Sequence, residues 1–183
     1  MSFLPRAFLC MLLDFHDRHN FNKVFYHVYR GVALDVLDRW AEEAVESFWK
    51  LCLLPKALDK IRDHLEKGHQ VVLISGGLEP MLKPLAQSLG VHALVGAKPE
   101  LHLGRLTGHL VGGALSGRAK STAVRETAAR LGVSLSRSYA YADSIGDREF
   151  LETVKFPRAV NPDRRLRRLA LDREWPIISW RRS

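Results

Sequence analysis

From Lys56 onward, amphipathic stretches alternate with short apolar runs. Residues 56–67, KALDKIRDHLEK, place Ala57, Leu58, Ile61 and Leu65 at helical spacing, and Gly68 ends the helix. QVVLIS (70–75) is a short β-branched run and predicts a buried strand. GGLEPMLKPLAQSLG predicts a helix that tolerates Pro80 in its first turn and stops at Gly90. VHALVG (91–96) predicts a second strand, and LHLGRLTGHLVG alternates about Gly104 as a hairpin does. KSTAVRETAARLG then predicts a helix ending at Gly132, SYAYA a third strand, and DREFLETV a helix with acids in its first turn, where the helix dipole favours them. RAV (158–160) predicts a short fourth strand, NPDRRLRRLALD a turn and helix, and WPIIS a final extended piece. Strands alternating with helices imply an α/β fold, a doubly wound (Rossmann-like) parallel sheet with helices on both faces. Roughly the first 50 residues show no clear strand and imply a small helical cap, which divides the chain into a cap region over 1–52 and an α/β core over 53–183.

Composition narrows this picture little. The chain has 183 residues, 46% hydrophobic and 26% charged, which suits one soluble domain with a real core. The net charge of +8, much of it in DRRLRRLALDREWPIISWRRS, reads first as a solvated basic face and also fits polyanion binding, membrane-surface contact or a phosphate-bearing substrate; no nucleic-acid motif accompanies it, so no nucleic acid is expected. Cys10 and Cys52 form no CxxC, which argues against a zinc knot or disulfide framework and makes a reducing, cytoplasmic setting the expectation. No apolar run reaches the ~18 residues of a membrane span. AFLCMLL lacks the small-residue cleavage site of a secretory signal.

Ligands of a doubly wound sheet bind beyond the carboxyl ends of its strands, and three polar clusters fall there. Ser75-Gly76-Gly77 follows VVLI and could receive phosphate oxygens on a hydroxyl and bare backbone N–H groups, or simply cap a helix. Lys120 stands near a helix start in SGRAKS, normally a solvent-exposed position. GGALSGRAKST is not a P-loop, because its lysine comes two residues late and no apolar strand leads directly into it. Asp143 ends a strand and Asp147 begins the next helix. Such an oxygen-only pair suits Mg²⁺, which keeps several waters and takes one or two carboxylates plus a substrate phosphate; an N-cap aspartate with a solvated neighbour would have the same spelling.

Hydroxyl, lysine and paired acids in this order resemble the haloacid dehalogenase (HAD) superfamily, in its phosphoserine-phosphatase-like subclass. GHQVVLISGGLEPMLKPLAQSLG is similar to the family's second motif and GRAKSTAVRETAARLG to its third. YADSIGDREFLETVKFPRAVNPD with the later Trp-Pro resembles its fourth, and YRG with the helical stretch after it resembles its cap. The resemblance implies a Mg²⁺-dependent phosphomonoester hydrolase acting on a small phosphorylated substrate through an aspartyl-phosphate. It assigns Ser75 and Gly76 to the phosphoryl group, Lys120 to neutralising charge there, Asp143 to Mg²⁺, directly or through water, and Asp147 to holding that loop or a metal-bound water and bonding to Lys120. Gly146 stands where some relatives carry an Asn beside the metal.

The family's first motif, an apolar strand ending in Asp-x-Asp-x-Thr, has no clear counterpart. FLCMLLDFHDRH offers Asp14 as attacking group and His16 as proton shuttle, with Arg18 where Thr belongs. The alternative makes this segment cap helix and places the strand and nucleophile upstream of Met1. The distance of Asp14 from Ser75, mostly claimed by the cap, favours that alternative. Loss of the strand would leave two unpaired edges in mid-sheet, each buried unpaired backbone group costing ~1–3 kcal/mol, so AFLCMLL inserting as a surrogate strand is a second expectation. A non-catalytic domain that binds a phosphorylated ligand or a partner protein would also show the surviving motifs.

Overall fold

A computed structural model describes residues 26–45, 47 and 52–180. Asp14, His16, Arg18, His19, Phe48 and Trp49 lie outside the described residues, as does AFLCMLL. The helices are α1 (Leu34–Ala44), α2 (Pro55–Glu66), α3 (Glu79–Ser88), α4 (Gly117–Leu131), α5 (Arg148–Leu151) and α6 (Arg164–Asp172). The strands are β1 (Val72–Leu78), β2 (Ala93–His102), β3 (Arg105–Val111), β4 (Tyr139–Ala142), β5 (Phe156–Val160) and β6 (Ile177–Ile178).

Strand and helix alternate as the apolar pattern predicts, and the parallel pairings β1·β2, β4·β5 and β5·β6 follow from the helical crossovers between them. β3 is antiparallel to β2, as the hairpin expected about Gly104 requires, because only two residues connect them. In that turn Leu103 (φ 48°) and Gly104 (φ 74°) both take positive φ, the geometry that matches the twist of a tight hairpin. Among the described residues the strands form two three-stranded sheets, β1-β2-β3 and β4-β5-β6, and not one continuous sheet.

The facing edges, one along β1 and one along β4, pair with no described strand. Between them lies a cavity of about 1640 Å³, walled by Val72, Leu73 and Ile74 on one side and Tyr139, Ala140 and Tyr141 on the other. Ile61 of α2 and Val124 and Ala128 of α4 also line it, so the walls are mostly apolar. Each half-sheet has its own core. Tyr26, Tyr29, Leu37, Leu78, Ala97 and Leu106 cluster on one side of the cavity, and Ala140, Leu151, Ala159, Leu166 and Ala170 on the other. The segment ahead of α1 is fastened to the hairpin: Gly31 N–H donates to Leu106 O at 2.7 Å, and Leu106 N–H donates to Val32 O at 2.9 Å.

Gly96 lets α3 start directly against β2. A methyl group there would sit 2.6 Å from the Glu79 Cα, against backbone that cannot swing aside. Gly96→Ala is therefore expected to cost about 1–3 kcal/mol through overpacking, read as a lower urea midpoint at unchanged slope.

Candidate functional site

Ser75, Gly76, Lys120, Asp143 and Asp147, separated by up to 72 residues of chain, all line the cavity between the half-sheets. Asp143 stands just beyond the end of β4, Lys120 in the first turn of α4 and Asp147 at the start of α5, while Ser75 and Gly76 lie within β1. β1 and β4 both run toward this rim, so their loops meet there.

Local backbone structure sets each side chain. β1 continues three residues beyond Ser75, and α3 begins only at Glu79, so Ser75-Gly76-Gly77 is an extended bulge and not the helix start that the sequence suggests. The β1·β2 register breaks between Ile74 and Leu78, because Ser75–Gly77 leaves the ladder. The Ser75 hydroxyl turns back to accept from Gly77 N–H at 3.1 Å. The Gly76 carbonyl accepts from the Tyr26 hydroxyl at 2.5 Å, and burial pushes the Tyr26 pKa up. Tyr26 thus holds the bulge from the segment ahead of α1, a contact that no periodicity announces.

α4 starts at Gly117, one turn earlier than predicted, so Lys120 is its fourth residue and faces inward. Its ammonium lies 2.6 Å from Asp147 Oδ1, with the two side chains only 11% and 13% exposed. The Phe150 ring centroid is 5.5 Å from the same nitrogen. A lone buried lysine would be costly, and the carboxylate and ring face together compensate its lost hydration.

The loop from Asp143 to Asp147 is held by Asp163. Its backbone N–H donates to Asp143 O at 2.7 Å, while its carboxylate accepts from Ile145 N–H at 2.8 Å and from Leu166 N–H at 2.7 Å. The last contact is also the N-cap of α6. Burial works to raise the Asp163 pKa, but the bonds from Leu166, Ile145, Ser144 and Arg165 outweigh it, and the net shift is downward. The sequence predicts only a turn and a helix around Asp163; its role in bracing the 143–147 loop depends on a contact 18 residues away. Phe150 was legible only as a helix residue one turn after Asp147.

Asp143 is exposed at the rim, with no side-chain bond of its own among the described residues. Asp147 commits Oδ1 to Lys120. No group of three or more His, Cys, Asp or Glu side chains gathers among the described residues. The donor set fits a hard cation that brings its own waters and shares a substrate oxygen, and does not fit an ion that needs an all-protein cage. At the far end of the cavity the His64 ring bridges His69 Nδ1 and the Tyr141 hydroxyl, each at 2.8 Å, and burial followed by the neighbouring His69 lowers its pKa.

Comparison with known proteins shows the family to which the chain belongs. Residues 3–152 match the family model described as haloacid dehalogenase-like hydrolase. Over 154 residues the chain is 41% identical to the "Inhibition of morphological differentiation protein" of Streptomyces azureus, covering 84% of this chain and 55% of that protein. It is 42% identical over 118 residues to a protein of Mycobacterium tuberculosis named phosphoserine phosphatase SerB1, covering 64% of this chain and 38% of that one. The chain thus spans about half the length, or less, of these curated relatives. A solved structure of a Bordetella pertussis protein of unknown function superposes with a TM-score of 0.80 at 27% identity, over 95% of this chain and 79% of that one.

Asp163 makes stability depend on pH in a definite direction. Its folded pKa lies below the ordinary carboxylate value of ~3.9, so its contribution is present above that value and is lost as pH falls through the folded one. Asp163→Ala is expected to be less stable than wild type at pH 6 by about 0.5–2 kcal/mol, with the gap narrowing steadily below pH ~4. Urea titrations across this range would detect it.

Proposed function

Because the chain belongs to the haloacid dehalogenase-like hydrolase family, we propose that it works as a Mg²⁺-dependent phosphatase on a small phosphomonoester through an aspartyl-phosphate. The observation that carries this reading is the gathering of Ser75, Gly76, Lys120, Asp143 and Asp147 on one cavity. The Ser75 hydroxyl and the Gly76 backbone receive the equatorial oxygens of the phosphoryl group. Lys120, held by Asp147, presents a fixed positive charge to the same oxygens. One cation ~4 Å from such an oxygen is worth about 4 kcal/mol at an effective dielectric near 20. Asp143, with Asp147 beside it, would hold Mg²⁺, which would supply charge neutralisation at those oxygens.

The reaction then needs a carboxylate in line with the scissile bond. Its oxygen bonds to phosphorus as the ester P–O bond breaks and the leaving alkoxide takes a proton. Water opens the resulting acyl phosphate and releases inorganic phosphate. The phosphoryl group in flight carries spread negative charge, so positioning and electrostatics supply most of the rate.

The cleft between β1 and β4 supports this reading. A strand lying in it parallel to both would end at the rim where the five residues stand. Asp14 is the sequence's own candidate for the attacking group. The region ahead of residue 53 serves as the cap, and its Tyr29, Trp40 and Glu43 line the cavity mouth where they could select a substrate.

The test is phosphate release from a panel of small phosphomonoesters, with and without Mg²⁺. We expect release that requires the metal and falls about 10²–10³-fold in Lys120→Ala, with Lys120→Arg failing to restore it because the fork of a guanidinium does not fit where a compact ammonium sits. Thermal stabilisation by phosphate without any turnover at high protein concentration would replace the enzyme with a phosphate-binding domain. In Asp14→Asn, lost turnover with an unchanged melting temperature would assign the attack to that residue, and retained turnover would assign it elsewhere.

A further inference from the structure

The outer face of α6 runs against the rules of helix electrostatics. Arg164, Arg165, Arg167 and Arg168 occupy its first turn and a half, the end where the dipole is already positive and where acids belong. At helical spacing, 164–167, 165–168 and 164–168 are neighbouring like-charge pairs, an arrangement that destabilises a helix. All four are exposed, and none has an ion-pair partner among the described residues. Some other basic side chains do have partners. Lys60 and Lys67 share Asp63, Arg62 meets Asp59, and Arg148 and Arg173 converge on Glu152.

The same face carries Leu171, which is 62% exposed. It lies one turn beyond Arg167 and Arg168 and in the same row as Arg164. Leu166 and Ala170 on the opposite face are fully buried and anchor the helix to the core. The helix is thus rigidly mounted, with an apolar group set among uncompensated guanidinium groups and turned to solvent. Its N-terminus adjoins the rim through Asp163.

From this we infer that the outer face of α6 is a docking surface for an anionic phospholipid bilayer. Guanidinium groups pair with headgroup phosphates while their alkyl stems and Leu171 enter the boundary between headgroups and acyl chains. A nucleic-acid backbone would satisfy the arginines but leaves Leu171 without a role. Docking here would bring the rim of the phosphate site toward the membrane surface. The inference does not depend on the phosphatase reading.

Sedimentation with vesicles tests it. The protein should bind vesicles of phosphatidylcholine containing 30 mol% phosphatidylserine and not those of phosphatidylcholine alone, and binding should weaken as salt rises. Each surface arginine contributes about fivefold, so Arg167→Gln with Arg168→Gln should lower partitioning about 25-fold. Leu171→Ser should lower it about five- to tenfold. Arg125→Gln with Arg130→Gln, which removes two exposed charges from α4 instead, should leave it nearly unchanged. Circular dichroism checks that each variant is folded. No binding to anionic vesicles, equal binding to neutral ones, or equal loss in the α4 and α6 double variants would each overturn the proposal. So would tighter binding to a DNA or RNA duplex than to vesicles together with indifference to Leu171→Ser.

Discussion

Asp163 is the residue on which the rim of the cavity depends. One carboxylate caps α6 and holds the loop that carries Asp143 and Asp147, while its own N–H secures the carbonyl of Asp143. Those three bonds join the fourth helical crossover to the loop after β4. Without them Asp147 would be fixed only by Lys120, and the loop would have to find its geometry from a short 3₁₀ turn. Because the carboxylate is ionised in this role, the positions of the metal-binding candidates are tied to the protonation state of a residue that does not line the cavity.

Lys120 and Asp147 form the second constraint. A pair this enclosed gains little net stability over an apolar substitute, since both groups give up hydration to form it. Its value lies in placement: the ammonium is held at one point against Phe150 and cannot sweep as a surface lysine does. Removing either partner would strand the other charge in a poorly hydrated place. This is the arrangement expected where a positive charge must wait for a charged ligand in a fixed position.

The cavity between the half-sheets connects these features to the fold. β1 and β4 each leave a row of backbone groups facing it, and its walls are mostly apolar. Such edges invite a further strand, because pairing them satisfies both ladders at once. The two cores are separately complete enough to hold their half-sheets, with Leu37 buried on one side and Leu151 and Leu166 on the other. The site is therefore assembled across a division in the sheet. Ser75 and Gly76 belong to one half, and Lys120, Asp143 and Asp147 to the other or to the helix between them.

The order of strands and helices was legible in the sequence because strands and helices differ in their apolar period: QVVLIS, VHALVG and SYAYA are short apolar runs, and Gly68, Gly90 and Gly132 mark helix ends by allowing positive φ. The site residue types were legible too, since Ser, Lys and Asp stood at strand ends and helix starts, where a wound sheet binds ligands. Other features were beyond the reach of local pattern. That Ser75-Gly76-Gly77 is a bulge and not a helix start follows from pairing with β2, and that Lys120 points inward follows from α4 beginning a turn earlier. Tyr26 reaching Gly76 across 50 residues and Asp163 bracing Ile145 are contacts between segments with no sequence relation to one another. Periodicity reports which side of an element is covered; only the packed chain decides what covers it.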